Sequence, residues 1–226
     1  MRPLQHAGNG DPAPAMIVCD GDLVSLIACA AAKERALASA PERATPALPV
    51  VWAAITPGAT SRARAHAIEA QASALGLEVV VPPGDAPNLT ASASERATRE
   101  IIDAAYTALS RACGSLVLTD RAADGDAVDL AGVAATLDRA TLVSRLVSLD
   151  PDRDQRGFEI DAPYIDLSDR QVAELALDLG VPVSLCWWWH AELRDGKPDT
   201  TAALFKREHE RWTSVLAQCG WRQAVA

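Results

Sequence analysis

The sequence has no apolar run long enough to cross a membrane and no sign of an export signal. None of its 226 residues lies in a stretch that approaches the roughly 20 apolar residues of a membrane span. The first 14 residues are polar and rich in proline and glycine, and they lack the apolar core of a signal peptide. We therefore expect a cytoplasmic protein without membrane contact.

Basic residues are also too few for general nucleic-acid binding. The chain has 21 lysines and arginines against 30 aspartates and glutamates, which gives a formal net charge of −9. Such a charge repels phosphate backbones, and nucleic-acid binders gain most of their affinity from cationic side chains. The composition therefore argues against a general DNA- or RNA-binding protein, and it leaves room for a local basic groove.

Cysteine pairs and the familiar catalytic motifs are missing as well. The five cysteines are scattered and odd in number, which favours buried reduced thiols over a disulfide framework. We find no Walker loop, glycine-rich dinucleotide fingerprint, His-Glu helix motif or Ser-His-Asp set. Hydrolase and dehydrogenase functions of those types have no residues to support them.

Short apolar strands alternate with helices along most of the chain. The predicted strands are MIVC, PVVWAAI, LEVVV, SLVLT and FEIDAP. The helix that precedes LEVVV ends at Gly76, and Ser168 with Gln171 predicts a capping box further on. Strands that are apolar on both faces and alternate with helices predict an α/β fold, a parallel sheet with helices on both faces.

The organisation that follows from this pattern has three parts. Residues 1–14 are predicted to be a mobile tail, 15–185 an α/β domain, and 186–226 a C-terminal Trp-rich segment with a helical appendage. Residues 124–150 are ambiguous, because their pattern fits either two helices or one helix and one strand.

The stretch DGDLVS, Asp20 to Ser25, lies between the first strand and the first helix. Parallel sheets bind ligands beyond the carboxyl ends of their strands, and a glycine-bearing turn at a helix N-terminus commonly holds phosphate. Yet this turn carries two aspartates. They fit two alternatives, a helix cap or a pair of carboxylate ligands for Mg²⁺, and capping is favoured.

A longer segment resembles a known family. Residues 162–187, APYIDLSDRQVAELALDLGVPVSLCW, are similar to the segment of the 7-cyano-7-deazaguanine synthases (QueC family) that joins the nucleotide-binding domain to the zinc loop. The resemblance implies a PP-loop ATP pyrophosphatase fold, whose members cleave ATP between the α and β phosphates to adenylate a substrate. It also places Gly58 after the second strand and Asp124 near an acidic position of the substrate loop.

The phosphate-binding hallmark of that family, Ser-Gly-Gly-X-Asp-Ser, is altered here. The matching residues are Gly21, Leu23 and Ser25. Asp20 and Asp22 replace a hydroxyl donor and a glycine with negative charge, which repels phosphate. We therefore favour a pseudoenzyme with an impaired ATP site. The alternative is an active ATP-dependent ligase in which Mg²⁺ on Asp20 or Asp22 assists the altered loop.

The resemblance also implies a zinc site with four thiolates. Cys186 fits the first ligand, but the close-spaced trio of cysteines that should follow is absent, so we expect no family zinc. A substitute site of Cys186 and His190 with His209 and Cys219 is disfavoured, because ten residues of helix separate the last two by about 15 Å.

The ligand and partner expectations centre on Trp187, Trp188 and Trp189. These tryptophans suit either a stacking platform for a planar base, since the family's substrate is a deazapurine, or core packing combined with a subunit interface. We expect a small base-like ligand or a protein partner, and the resemblance implies a homodimer. Arg62, Arg64 and His66 fit a solvated helix face better than a phosphate contact.

Overall fold

The computed structural model describes residues 13–40, 45–55, 57–82, 92–150, 157–189 and 198–222, without the side chains of 198–201. Most of the predicted N-terminal tail, residues 1–12, therefore lies outside the described residues. Seven strands are present in the described ranges: β1 Ala15–Cys19, β2 Val50–Ala53, β3 Glu78–Val80, β4 Ser115–Val117, β5 Ala123–Asp124, β6 Ala127–Val128 and β7 Glu159–Asp161.

Five of these strands form one parallel sheet in the order β3-β2-β1-β4-β7. In its centre, Met16 of β1 pairs with Val50 on one side and with Leu116 on the other. β2 and β3 therefore lie on one side of β1, and β4 and β7 lie on the other side. The order of the strands reverses between β1 and β4, and the predicted parallel sheet is confirmed.

Six α-helices accompany the strands in the described part of the chain: α1 Leu23–Ser39, α2 Ser61–Leu75, α3 Ala93–Ser110, α4 Leu130–Val147, α5 Asp169–Asp178 and α6 Pro198–Gln218. Two short 3₁₀ turns, Val183–Leu185 and Trp187–Trp189, precede α6. The predicted capping box of Ser168 and Gln171 begins α5, and Gly76 ends α2 in the left-handed conformation. None of the helices in the described ranges combines the length and apolarity that crossing a membrane requires.

Side chains of the central strand alternate between two hydrophobic clusters, as the period of a strand requires. Ile17 and Cys19 pack in one cluster with residues of α1, α2, α5 and α6. Met16 and Val18 pack in the other with residues of α3 and α4. The sheet is therefore covered by helices on both faces, as the apolar strands predict.

The ambiguous segment 124–150 differs from both alternatives. A short antiparallel hairpin of β5 and β6 comes first, and it turns at Gly125, whose φ of 62° favours glycine. One helix, α4, then takes in most of the stretch that sequence periodicity fits poorly. The reason is its packing, since Ala140, Val143 and Val147 are buried against the sheet while the opposite side of α4 is exposed.

The C-terminal helix belongs to the same hydrophobic core as the sheet. Phe205, Trp212 and Leu216 of α6 are almost completely buried. They lie in the cluster that contains α1, α2 and α5. The helical appendage is thus packed onto the α/β layer.

A buried ion network ties α6 to the rest of the fold. Asp169, at the start of α5, is 3% exposed and accepts hydrogen bonds from Arg121 at 2.5 Å and from two nitrogens of Arg211 at 2.6 and 2.7 Å. Both guanidinium groups lie over the ring of Trp212, at 5.4 and 5.3 Å. Burial would raise the pKa of Asp169, but these donors hold it below the ordinary value.

We predict that Asp169→Asn destabilises the protein by about 3–5 kcal/mol, because it leaves two arginines without their buried counter-ion. Urea denaturation followed by tryptophan fluorescence measures the change. Asp178→Asn, at the exposed end of the same helix, is the matched control and should shift stability by less than about 0.5 kcal/mol. A loss for Asp169→Asn as small as that of the control would contradict the network's role.

Candidate functional site

A cavity of about 520 Å³ lies at the carboxyl ends of the strands. Its walls come from the residues that follow β1, β2 and β4, from α2 and α3, and from Arg211 and Trp212 of α6. It therefore sits where the strand order reverses between β1 and β4, which is the usual ligand position in open parallel sheets. Asp20 and Asp22 of the DGDLVS loop are among its lining residues.

Gly21 is required by the shape of this loop. Its φ of 81° is one that residues with a side chain rarely adopt. A Cβ at this position would lie 2.9 Å from the carbonyl oxygen of Arg64 and 3.0 Å from the Cβ of Ala67. The loop consequently lies directly against the first two turns of α2.

The carboxylate of Asp20 is held by three donors. Its Oδ1 accepts the backbone N–H of Asp22 at 3.0 Å and the hydroxyl of Ser25 at 2.9 Å. Its Oδ2 forms an ion pair with Arg64, whose guanidinium also donates to the backbone oxygen of Asp20 at 3.1 Å. A backbone N–H, a hydroxyl and a guanidinium are donors of the kind that bind anions, and here an internal carboxylate takes them.

Asp22 caps α1 and is bound by a tryptophan. Its Oδ1 accepts the backbone N–H of Leu23 and the indole N–H of Trp188, both at 2.8 Å. Desolvation, and secondly the charge of Asp20, raises the pKa of Asp22 to about 6. This carboxylate is thus a cap whose ionisation the folded protein opposes.

The back of the loop is fixed from α2 and from the 3₁₀ turns. The backbone oxygen of Gly21 accepts the N–H of Trp187 at 2.9 Å and the amide of Gln71 at 3.0 Å. Gln71 is buried and also donates to the backbone oxygen of Leu185 at 3.3 Å. Arg64 lies over the Trp187 ring at 4.6 Å, so the loop and the tryptophan segment form one packed unit.

Two further carboxylates, Glu100 of α3 and Asp120 after β4, line the same cavity. Desolvation, and then repulsion from Asp120, Asp20 and Asp103, raises the pKa of Glu100 to about 7. The pKa of Asp120 is also raised, by desolvation and by the charge of Asp20. The cavity wall thus carries mutually repelling acids.

The arginines of the cavity are engaged by acids of the protein. Arg64 pairs with Asp20, and Arg121 pairs with Asp169. Arg211 pairs with Asp169 and also lies 3.7 Å from Asp124. Because each cation already has a carboxylate partner, Glu100 and Asp120 leave the cavity with an excess of negative charge.

The tryptophans are placed mainly in the core. Trp187 and Trp188 are 2% and 1% exposed, and neither they nor Trp189 lines the described cavity. Trp189 is partly buried and contacts Trp188, His209 and Trp221. The one tryptophan that lines the cavity is Trp212.

The remaining sequence candidates are dispersed. The side chain of Asp124 is 99% exposed in the hairpin, and Cys186 is fully buried, while His190 lies outside the described residues. Arg62 is exposed on α2. In the ranges that the structure describes, no group of three or more histidine, cysteine, aspartate or glutamate side chains is placed to hold a metal ion.

Sequence reasoning missed several residues of the cavity. It assigned Arg64 to a solvated helix face, whereas Arg64 is bound to the DGDLVS loop. It did not single out Glu100, or Thr119 and Asp120, which lie two and three residues after the end of β4. The position of Thr119 and Asp120 after an apolar strand was a usable signal, because the carboxyl ends of parallel strands share one edge. Nothing in the sequence marked Glu100.

Comparisons with known proteins give a distant structural match. No protein-family model matches the sequence, and no curated protein matches it. One solved structure that matches is the U34-tRNA thiolase NcsA from Methanococcus maripaludis with its [4Fe-4S] cluster. The two chains are 16% identical with a TM-score of 0.46, over 92% of this chain and 72% of that one.

We predict that Asp22→Asn stabilises the protein near pH 7.5 and not near pH 4. The folded-state pKa of about 6 exceeds the ordinary 3.8, so the folded protein binds this proton more tightly and loses stability as pH rises through that interval. Two pKa units correspond to roughly 3 kcal/mol. Asparagine keeps an acceptor for Leu23 and Trp188, and we expect a gain of about 1–2 kcal/mol.

Urea denaturation at the two pH values measures this difference. Asp129→Asn is the matched control, since Asp129 also caps a helix, through the N–H of Ala131, but is exposed. It should change stability by less than about 0.5 kcal/mol. If Asp22→Asn instead weakens the protein near pH 7.5, the carboxylate is needed in its charged form and the argument fails.

Proposed function

We propose that this protein is a PP-loop-type binding protein, related to the 7-cyano-7-deazaguanine synthases, whose ATP site is impaired. Its role would be to bind a small base-like ligand in 7-deazaguanine metabolism, the route to queuosine precursors. The observation that carries the proposal is the Asp20 carboxylate. It accepts from the N–H of Asp22, from Ser25 and from Arg64.

The electrostatics of the loop oppose ATP. An incoming phosphate would have to displace Asp20 from its donors and approach a second carboxylate, Asp22. Two negative charges held close together in a partly desolvated loop cost on the order of 1–4 kcal/mol of binding free energy for each pair. A cost of that size removes the binding energy of a nucleotide that binds in the millimolar range.

The charge of the cavity favours a ligand with N–H donors. Among the residues that the structure describes, Glu100 and Asp120 line the wall without the direct arginine ion pairs that Asp20 and Asp169 have. The ring N–H and exocyclic amine of a guanine-type base are neighbouring donors, and one carboxylate can accept both of them. A neutral deazaguanine suits this wall, whereas a carboxylate-bearing one is repelled.

The volume of the cavity agrees with a ligand of this kind. A volume of about 520 Å³ lies within the range of small-molecule sites, roughly 300–1,000 Å³. Trp212 also lines the wall, but it is 2% exposed and the guanidinium groups of Arg121 and Arg211 lie over its ring. The stacking role first assigned to Trp187, Trp188 and Trp189 therefore has no free aromatic face in this cavity, and the proposed ligand is held by its N–H donors.

The first test is calorimetric titration with ATP, with and without Mg²⁺. We expect no binding to the wild-type protein below about 1 mM. Asp20→Ser combined with Asp22→Gly restores two hallmark residues and removes two charges, and affinity for ATP with Mg²⁺ should rise at least about tenfold. Asp178→Ser is the matched control and should leave the protein without ATP binding.

Mg²⁺-dependent ATP binding to the wild type would contradict the proposal. If Asp20→Asn or Asp22→Asn then abolished that binding, the active ligase would replace it, with these aspartates as metal ligands. The restored variant is also tested for folding by circular dichroism. If it is folded and still does not bind ATP, the two negative charges are not what prevents ATP binding.

The second test concerns the ligand. We expect 7-deazaguanine to bind more tightly than its 7-carboxylated form, and its affinity to increase about ninefold between pH 6 and pH 8. The sign follows from Glu100, because a group with a pKa of about 7 is about one-tenth ionised at pH 6 and nine-tenths at pH 8, and only the carboxylate accepts two N–H groups.

Glu100→Gln should weaken binding at pH 8 and remove the pH dependence. Glu34→Gln, an exposed position on α1 away from the cavity, is the matched control and should keep it. Tighter binding of the carboxylated base, or an unchanged pH profile in Glu100→Gln, would contradict the assignment of the wall. If no base binds, the proposed ligand is wrong, and the pseudoenzyme would act by binding a protein partner.

A further inference from the structure

A second cavity, of about 580 Å³, lies toward the amino ends of the strands. Its walls come from the residues that begin β1 and β4, from the C-terminal half of α1 and from the segment that leads into β2. It shares no lining residue with the cavity around the DGDLVS loop. Its volume lies within the range of small-molecule sites, roughly 300–1,000 Å³. The protein therefore has a second, separate space for a ligand.

Small residues on α1 create this space. In its first half the helix buries large side chains such as Leu26 and Ile27. In its second half Ala32, Ala36 and Ser39 line the cavity, and their spacing i, i+4, i+7 places them on one helix face. Because protein interiors are otherwise closely packed, a face of alanine and serine leaves a gap over the sheet that larger side chains would fill.

The floor of the cavity is the face of β4 and β7 that looks toward α1. Val117 of β4 pairs with Ile17 of β1 and with Asp161 of β7, and Ile17 and Val117 pack in the same cluster as α1. Ser115 lies two residues before Val117 and therefore on the same face. Asp161, on the last strand of the sheet, is exposed, so the floor ends at a carboxylate that solvent reaches.

One cation and one anion line this cavity, and both are exposed. They are Arg35 and Asp161. The Nε of Arg35 donates to the backbone oxygen of Ala31 at 3.3 Å. In the part of the chain that the structure describes, neither side chain forms an ion pair, with the other or with a third residue. Both charges are therefore available to a ligand, unlike the paired arginines of the first cavity.

The rest of the described lining is apolar or carries only a hydroxyl. It consists of alanine, proline and valine with two serines and one threonine. The prolines, Pro14, Pro46 and Pro49, offer rigid apolar walls without a backbone N–H donor. Ionic recognition in this cavity consequently depends on Arg35 and Asp161. A matching ligand has an aliphatic body, a carboxylate for the arginine and an ammonium group for the aspartate.

We propose that this cavity binds a small aliphatic zwitterion, an apolar amino acid or a dipeptide of such residues. Its carboxylate pairs with Arg35, its ammonium group pairs with Asp161, and its aliphatic part packs against Ala36 and Val117. A simple carboxylate would face Asp161 with a like charge, and a simple amine would face Arg35 in the same way. Exposed ion pairs contribute little each, so we expect a dissociation constant near 1 mM.

Titration of the ¹⁵N-labelled full chain with leucine and with leucyl-leucine tests the proposal, because backbone amide shifts in NMR spectra report both affinity and place. We expect saturable shifts at residues 32–39 and 115–117 with at least one of the two, and the ratio of their constants distinguishes amino acid from dipeptide. Two analogues of leucine each lack one charge. The amine 3-methylbutylamine and the acid 4-methylpentanoate should bind at least about threefold more weakly than leucine.

Variants of the two charged residues assign each contact. Arg35→Gln should weaken leucine at least about threefold without weakening 3-methylbutylamine, which has no carboxylate. Asp161→Asn should weaken leucine to a similar degree without weakening 4-methylpentanoate, which has no ammonium group. Arg62→Gln is the matched control, since Arg62 is exposed on α2 and does not line the cavity. It should leave the constant for leucine unchanged to within about twofold.

This proposal does not depend on the base-binding role of the first cavity. Glu100→Gln should leave leucine binding unchanged, and Arg35→Gln should leave base binding unchanged, so either proposal can fail alone. Ala36→Leu fills part of the second cavity and should weaken leucine at least about threefold. Ala74→Leu, at an exposed position of α2, should not.

Three results overturn the proposal. The first is the absence of saturable shifts with either zwitterion up to about 20 mM. The second is equal binding of leucine and both single-charge analogues, which would mean that Arg35 and Asp161 contact no ligand charge. The third is a set of shifts confined to the DGDLVS loop, which would place the zwitterion in the first cavity.

Discussion

The ion pair and hydrogen bonds of Asp20 are the constraint on which the site depends. This carboxylate gathers the N–H of Asp22, the hydroxyl of Ser25 and the guanidinium of Arg64, and so joins the end of β1 to α1 and α2. Arg64 in turn lies over Trp187, whose backbone N–H holds Gly21. The loop at the N-terminus of α1 is therefore closed by the protein's own anion.

The other arginines around the cavity are also paired with carboxylates of the protein. Arg64, Arg121 and Arg211 each form ion pairs with carboxylates of the chain. These arginines therefore stabilise the fold. Glu100, with its pKa raised to about 7, is left to face the cavity. The proposed function therefore assigns a donor-rich neutral or cationic ligand to this wall, because the free energy of binding a polyphosphate worsens with every uncompensated carboxylate.

Much of the fold was predictable because it depends on local patterns. Apolar strands between amphipathic helices predicted the parallel sheet and its two covered faces, and the capping box at Ser168 marked where α5 begins. The segment 124–150 was not predictable, since its hairpin is set by a turn at Gly125 and its helix by burial against the sheet. The hydrogen bonds that fix Asp169 come from residues 42 and 48 positions away, which no periodicity reveals.

The sequence by itself determined that two aspartates stand in the loop after β1 and that the chain carries excess negative charge. Only the tertiary structure decided which distant side chains those aspartates bind. Asp22 caps α1, as the sequence favoured, and a tryptophan 166 residues later also donates to it. Asp20 became an internal anion because α2 brings Arg64 to it. Long-range packing also buried two of three adjacent tryptophans and left the leucines of α4 exposed, since both outcomes depend on which helix faces the sheet meets.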